Sequence, residues 1–111
     1  MEFVSTILSA YGISHQKAVA GTGVVAYIAA AHHDPQTPCL ALRADLDALP
    51  IQEQNEVPYK SQVPGWMHAC GHDGHTAMLL AAAKKLATSE SFDGTLNLIF
   101  QPAEEGGGGA L

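Results

Sequence analysis

The sequence predicts an α/β fold, a layered mixed sheet with flanking helices. Two apolar runs of strand length, residues 39–44 and 95–101, stand on either side of a long run of helix-forming residues. Acidic residues follow both predicted strands, and functional sites in α/β sheets gather at the carboxyl ends of strands. Hydrophobic residues make up 47% of the 111 residues and charged residues only 14%, which indicates one globular domain with a single core.

The first part of the chain predicts a helix followed by strands. Residues 2–11 place apolar side chains on one helical face, and Gly12 follows as a C-terminal cap. Residues 13–19 fit a short edge strand, and the β-branched and aromatic run 24–31 fits a second strand. Between them, Gly21, Gly23 and Ala26 match the dinucleotide-binding pattern G-x-G-x-x-A. That pattern requires a strand before the glycines and a helix after them, so we interpret these glycines as a turn.

The middle of the chain predicts two loops around a buried strand. Residues 32–38 read as a solvated loop, although His32 and His33 also suggest a metal site. The run 39–44 is apolar on both faces, which is typical of a central strand with Cys39 buried in it. Residues 51–66 form a long irregular connection, in which Tyr59 or Trp66 either lines a pocket or covers the core edge.

The last third predicts a helix and a final strand. Residues 77–83 are strong helix formers and predict a helix from about residue 73 to residue 88, with Asp73 as a candidate N-terminal cap. This helix is apolar nearly all round until Lys84 and Lys85, so we expect it to lie against the sheet with little solvent exposure. Residues 95–101 alternate apolar and polar side chains and predict the last strand.

The reactive side chains concentrate in residues 67–75, which read MHACGHDGH. Thiolate and imidazole groups suit zinc or a similar divalent ion, so the segment predicts a metal site that includes Cys70 and His72. The start of the following helix carries partial positive charge, so a cation there needs further anionic ligands. Adjacent Glu104 and Glu105 are candidates, because neighbouring side chains on extended backbone point to opposite sides. One of them could bind metal while the other transfers protons.

Two other interpretations compete for the same residues. The first is a chance collection of a buried thiol and solvated histidines. The second makes Cys70 a nucleophile with a histidine base, as in thiol hydrolases. Neighbouring carboxylates count against this second interpretation, because they raise the pKa of a thiol unless a metal ion intervenes.

Charge and hydropathy exclude several classes of function. The net charge of -6, with five Lys and Arg residues in all, argues against a nucleic-acid partner. The longest apolar runs are too short to cross a bilayer, and the N-terminus lacks the basic start and cleavage site of a signal peptide. We therefore expect a cytoplasmic protein with no membrane partner. Two cysteines do not make a disulfide framework.

Three ordered motifs closely resemble those of the metal-dependent amidohydrolases. They are LRADLDALP at 42–50, HACGHDGH at 68–75 and FQPAEEG at 100–106. That group includes hippurate hydrolase, bacterial N-acyl-amino-acid deacylases and plant auxin-conjugate hydrolases, within the wider aminoacylase and carboxypeptidase superfamily. The resemblance implies a zinc-peptidase-like catalytic domain that hydrolyses the amide bond of small N-acyl amino acids. It also implies two divalent ions, zinc or manganese.

The resemblance assigns roles to individual residues. Cys70, His72 and Glu105 match metal ligands, and Glu104 matches the catalytic base. Asp47 is expected to orient a ligand.

Two further residues of these motifs are less directly assigned. Asp45 belongs to the same acidic motif as Asp47, and His75 matches the motif of residues 68–75 without being a ligand in the family. We expect His75 to pack near the site.

Members of that group are longer than this chain. They carry an N-terminal extension, an inserted lid or dimerisation domain and two further histidine ligands that would lie beyond Leu111. The resemblance therefore implies that residues 1–111 form part of a catalytic domain and supply at most three direct ligands. The alternative is an inactive metal-binding or structural module. The acyl group, the amino acid and whether the protein forms a homo-oligomer are not determined by the sequence.

Overall fold

A computed structural model describes residues 1–30, 34, 36–89 and 91–109. Its strands form one sheet in the order β1-β2-β4-β3, in which the β1–β2 and β2–β4 pairs are antiparallel and the β3–β4 pair is parallel. This arrangement confirms the predicted α/β fold with a mixed sheet. The elements in chain order are α1 (Glu2–Ala10), β1 (Ser14–Val19), β2 (Gly23–Ala29), β3 (Cys39–Asp45), α2 (His72–Ala87) and β4 (Thr95–Gln101).

The turn between β1 and β2 contains the glycines of the dinucleotide-like pattern. Gly21 has a φ of 87°, a left-handed conformation that glycine adopts without steric cost. Gly23 begins β2, and a Cβ there would lie 2.6 Å from the carbonyl oxygen of Val19 and 3.0 Å from Cδ of Pro102. The interpretation as a turn is confirmed, and close packing explains the second glycine.

One face of the sheet carries the core, and both helices pack on it. Along β4, buried Leu96, Leu98 and Phe100 alternate with partly exposed residues, as the period of two requires. The buried residues of α1 and α2 join the same cluster, so the two helices share one face of the sheet. The other buried members of the cluster are Val4, Leu8, Ile13, Val24, Ala26, Ile28, Ala44, Leu79, Leu80 and Ala83.

The position of β3 differs from the prediction of a central strand. Among the described residues β3 pairs only with β4, and it forms one edge of the sheet. Cys39 is exposed rather than buried, and Leu40 is 56% exposed, whereas Ala44 at the other end is 4% exposed. The run is apolar on both faces, but in the part of the chain that the structure describes only its carboxyl end is covered.

Helix α2 also differs from its prediction in two respects. It has one buried side, which includes Leu79 and Leu80, while Met78 is 64% exposed. It begins at His72, after Gly71 in a left-handed conformation with a φ of 98°. Asp73 lies inside the first turn and makes no capping hydrogen bond, so the predicted cap is wrong.

Two other predictions of the sequence are only partly covered by the structure. His32 and His33, which suggested either a loop or a metal site, lie outside the described residues. Within the described ranges, no helix combines the length and apolarity that crossing a membrane requires.

Candidate metal centre

The motifs of residues 42–50, 68–75 and 100–106 meet at the carboxyl ends of β3 and β4, because these two strands are parallel neighbours. Their last register pair is Asp45 with Gln101, and the backbone N–H of Leu46 donates to the Gln101 carbonyl at 2.8 Å. Helix α2 connects β3 to β4, so it begins at this same edge. The loops that follow the two strands and the start of the helix therefore face one another.

His72 lies at the centre of this arrangement and is 4% exposed. Its Nδ1 lies 3.1 Å from both the backbone carbonyl oxygen and Oδ1 of Asp47. A carbonyl oxygen can only accept a hydrogen bond, so Nδ1 carries the proton and donates. In the neutral imidazole the lone pair is then on Nε2, which is the atom that a metal ion would bind.

Three carboxylates surround Nε2 of His72. Oδ1 of Asp45 lies 3.7 Å away, Oε2 of Glu104 lies 3.8 Å away and Oε1 of Glu105 lies 3.7 Å away. Burial alone would lower the pKa of His72, but the charges of Asp45 and Asp47 and the hydrogen bonds to Asp47 raise it. The position of Nε2 therefore favours a positive charge.

Cys70 is exposed beside the same group. Its Sγ, a ring nitrogen of His72 and a carboxylate oxygen of Glu105 all lie within 4.8 Å of one another. A hydrogen bond with Glu105, and then the charge of Glu105, raise the pKa of the Cys70 thiol. This shift disfavours the thiolate when no cation is present, which counts against Cys70 as an independent nucleophile.

Asp47 connects two of the candidate ligands instead of facing Nε2. Its Oδ1 accepts from Nδ1 of His72, and its Oδ2 accepts from the backbone N–H of Glu105 at 3.0 Å. Burial would raise the pKa of Asp47, but hydrogen bonds from backbone N–H groups, led by that of Glu105, hold it below its ordinary value. Asp47 thus fixes the ring of His72 and the turn that carries Glu105.

The hydrogen-bonded pair of His75 and Asp45 flanks the centre on the side of β3. Nδ1 of His75 donates to Oδ1 of Asp45 at 2.6 Å, and this hydrogen bond lowers the pKa of Asp45. Thr76 donates from Oγ1 to the Asp45 carbonyl oxygen at 3.0 Å, and Arg43 approaches Oδ2 at 3.6 Å. These contacts join the first turn of α2 to the end of β3.

The donor set fits a divalent metal ion. One sulfur, one imidazole nitrogen and one carboxylate oxygen converge within side-chain reach, and this is a ligand combination that zinc accepts. The lone pair of Nε2 points towards three carboxylates and receives no hydrogen bond among the described residues, an arrangement that a cation would stabilise. The geometry therefore agrees with Cys70, His72 and Glu105 as ligands, and their roles stay predictions.

A family model described as Peptidase family M20/M25/M40 matches residues 41–111, more than half of the chain and all three motifs. The chain belongs to this family. Within it, the chain is 54% identical over 110 residues to the IAA-amino acid hydrolase ILR1-like 5 of Arabidopsis thaliana, covering 98% of this chain and 24% of that protein. It is 50% identical over 109 residues to the hippurate hydrolase of Campylobacter jejuni, covering 98% and 27%.

A solved M20 structure has the same fold. The Bacillus subtilis YXEP protein, described as a dinuclear metal binding peptidase from the M20 family, is 42% identical, with a TM-score of 0.84 over 94% of this chain and 29% of that one. The predicted kinship with metal-dependent amidohydrolases is confirmed. The chain spans about a quarter of the length of the relatives it matches.

Sequence reasoning missed two features of the site. The pairing of His75 with Asp45 could have been inferred from the sequence. Residues three apart on a helix lie on the same side, so His75 shares the side of His72, which was already predicted to face the centre. The contact between Asp47 and the backbone of Glu105 could not have been found from the sequence, because it depends on the conformation of an irregular turn.

Trp66, a candidate pocket residue, does line a cavity of about 540 Å³ that adjoins Asp47 and Glu105.

Proposed function

We propose that this chain supplies part of the centre of a metal-dependent amidohydrolase that cleaves the amide bond of N-acyl amino acids. The convergence of the Cys70 thiol and the Glu104 and Glu105 carboxylates on the His72 ring carries the proposal. Relatives at 50% identity and above are named hydrolases of hippurate and of IAA-amino acid conjugates, and both names describe an acylated amino acid.

In this proposal Cys70, His72 and Glu105 hold a divalent ion, which supplies a Lewis acid that polarises the substrate carbonyl and lowers the pKa of water. Glu104 is the general base. Its carboxylate lies 3.8 Å from Nε2 of His72 and its side chain is 40% exposed, so it reaches both the centre and the open space where a substrate would bind. Glu104 takes a proton from water and delivers it to the leaving amine. Asp47 keeps His72 in the tautomer that leaves Nε2 free.

Finer points belong to the same proposal. The ion is zinc or manganese, and two ions act together in the whole protein, as the description of the solved relative suggests for that protein. The substrate is a small molecule, and we propose that the protein acts in the cytoplasm.

The role of Glu104 is tested in the full-length protein by Glu104→Gln, which keeps the shape of the side chain and removes its basicity. Turnover of N-benzoyl, N-acetyl and indole-acetyl amino acids should fall at least about 100-fold, the usual contribution of a general base. Metal content, measured by elemental analysis, should stay at the wild-type value. Glu56→Gln, in an exposed pair with Lys60, is the matched control and should leave turnover unchanged. A Glu104→Gln variant that hydrolyses these amides at the wild-type rate would refute the proposed role.

A metal-binding module without activity is the second candidate. It is favoured by the small number of donors, since the ligand set around Cys70 and His72 holds three in the described residues. Amide hydrolysis by the purified 111-residue chain that scales with added zinc or manganese would exclude this candidate. Metal bound with no hydrolysis of any of the three amides would support it.

A further inference from the structure

His75 contacts the metal centre through a single carboxylate. It lies one helical turn after His72, with the two ring centroids 5.7 Å apart. Its Nδ1 donates to Oδ1 of Asp45 at 2.6 Å, the shortest contact in the centre among the described residues. The His75 side chain is 48% exposed, so burial does not force this pairing, and the hydrogen bond itself selects the orientation.

Asp45 has three potential partners at different distances. Oδ1 accepts from His75 and lies 3.7 Å from Nε2 of His72, which is too long for a hydrogen bond. Oδ2 lies 3.6 Å from a guanidinium nitrogen of Arg43. The carboxylate therefore lies within ion-pair distance of Arg43 and of His72 but too far from either for a hydrogen bond, while Thr76 fixes the backbone of the same residue.

Release of this carboxylate would harm a metal centre in either direction. A movement of about 1 Å towards His72 would bring Oδ1 to hydrogen-bond distance of Nε2 and so favour a proton on that nitrogen, which the proposed ion needs free. A movement towards Arg43 would shorten the existing 3.6 Å ion pair to a direct hydrogen bond and draw the charge of the carboxylate away from the centre. Only the position that His75 enforces leaves Nε2 free while the negative charge faces it.

We propose that His75 is a positioning residue, whose hydrogen bond holds the Asp45 carboxylate beside Nε2 of His72 without occupying it. This inference rests on the proposed metal centre. His75 does not bind the ion in this proposal, and its effect on the ion passes through Asp45.

Cobalt(II) titration of the purified protein tests this role, because a thiolate-to-cobalt absorption band reports binding at Cys70. His75→Ala removes the hydrogen bond and should weaken cobalt binding about tenfold or more, as loss of an outer hydrogen bond usually does. His75→Asn keeps an N–H donor near the position of Nδ1 and should bind within about threefold of wild type. Thermal unfolding of the metal-free variants should change little, because His75 is half exposed.

A double-mutant cycle separates this role from a general effect on α2. In an Asp45→Ala background, His75→Ala should cause no further loss of cobalt affinity, because the partner through which it acts is absent. Equal losses in both backgrounds, equal losses for the Ala and Asn variants, or wild-type affinity in His75→Ala would each overturn the positioning role alone. Wild-type protein that develops no thiolate band would overturn the metal centre and the positioning role together.

Discussion

Replacing Asp47 with asparagine tests how far the metal centre depends on a residue that does not face the ion. The carboxylate accepts two hydrogen bonds, from Nδ1 of His72 at 3.1 Å and from the backbone N–H of Glu105 at 3.0 Å. Asparagine has nearly the same shape but only one oxygen. Whichever way the amide turns, its NH₂ group faces another donor, so one of the two hydrogen bonds is lost.

The size of the effect follows from the kind of bond that is lost. A hydrogen bond to a charged group contributes about 1.5–3 kcal/mol, and about 1.4 kcal/mol corresponds to a factor of ten in an equilibrium constant. Loss of one such bond should therefore weaken metal binding by about 10- to 100-fold. The backbone carbonyl of Asp47 still accepts from His72 at 3.1 Å, which keeps the ring near its place and the loss within this range.

Competition titration of zinc against a chromophoric chelator measures this loss. Asp73→Asn is the matched control, since it removes the same charge from the residue next to His72, where the side chain makes no capping hydrogen bond. We expect Asp73→Asn to bind zinc within about threefold of wild type, because an exposed charge acts only through a screened field. If Asp47→Asn retained wild-type affinity, or if the control lost as much, hydrogen bonding by Asp47 would not be the cause.

Two further predictions concern pH and the fold. The pKa values of His72 and Cys70 are both raised, so each group keeps its proton to higher pH than usual, and metal binding must displace those protons. Zinc affinity should fall as the pH is lowered through the raised pKa of Cys70, and more steeply below the raised pKa of His72, which lies above the ordinary histidine value of about 6.5. Proton release should be measurable by calorimetry in two buffers, and an affinity independent of pH would contradict the assignment. Gly23→Ala should lower the unfolding temperature, because its Cβ would lie 2.6 Å from a backbone oxygen. Gly74→Ala on helix α2 has open space around the new Cβ, so it should stabilise the protein by up to about 1 kcal/mol. The reverse order of these two glycine variants in thermal unfolding would show that the hairpin is not closely packed there.

Strand β4 and helix α1 could be predicted because each carries a clear period. The alternation of β4 and the apolar face of α1 fix both the type and the limits of those elements, and the observed ends fall within two residues of the prediction. The position of β3 in the sheet could not be predicted in the same way. An apolar run indicates that both faces of a strand can be buried, but it does not specify which strands lie beside it in the sheet.

The location of the site in the fold could be predicted from the sequence, but most of its individual contacts could not. Acidic residues after two parallel strands and a histidine at the start of the connecting helix must share one edge, so the meeting of Asp45, His72 and Glu105 follows from topology alone. The individual contacts between carboxylate oxygens and ring nitrogens depend on loop conformations, which no periodic sequence pattern specifies. The two hydrogen bonds of Asp47 and the pairing of His75 with Asp45 are contacts of this kind.

The negative charges beside Cys70 count against the alternative of a thiol nucleophile and favour a metal ion at the same residues. Without a cation, Glu105 keeps the proton on Cys70 and the carboxylates around His72 repel one another. A divalent ion reverses both effects, since it deprotonates a coordinating thiol outright and attracts every carboxylate that surrounds it. The carboxylates near Cys70 therefore oppose a thiolate nucleophile and would stabilise a cation, so the geometry that counts against the first chemistry supports the proposal of the second.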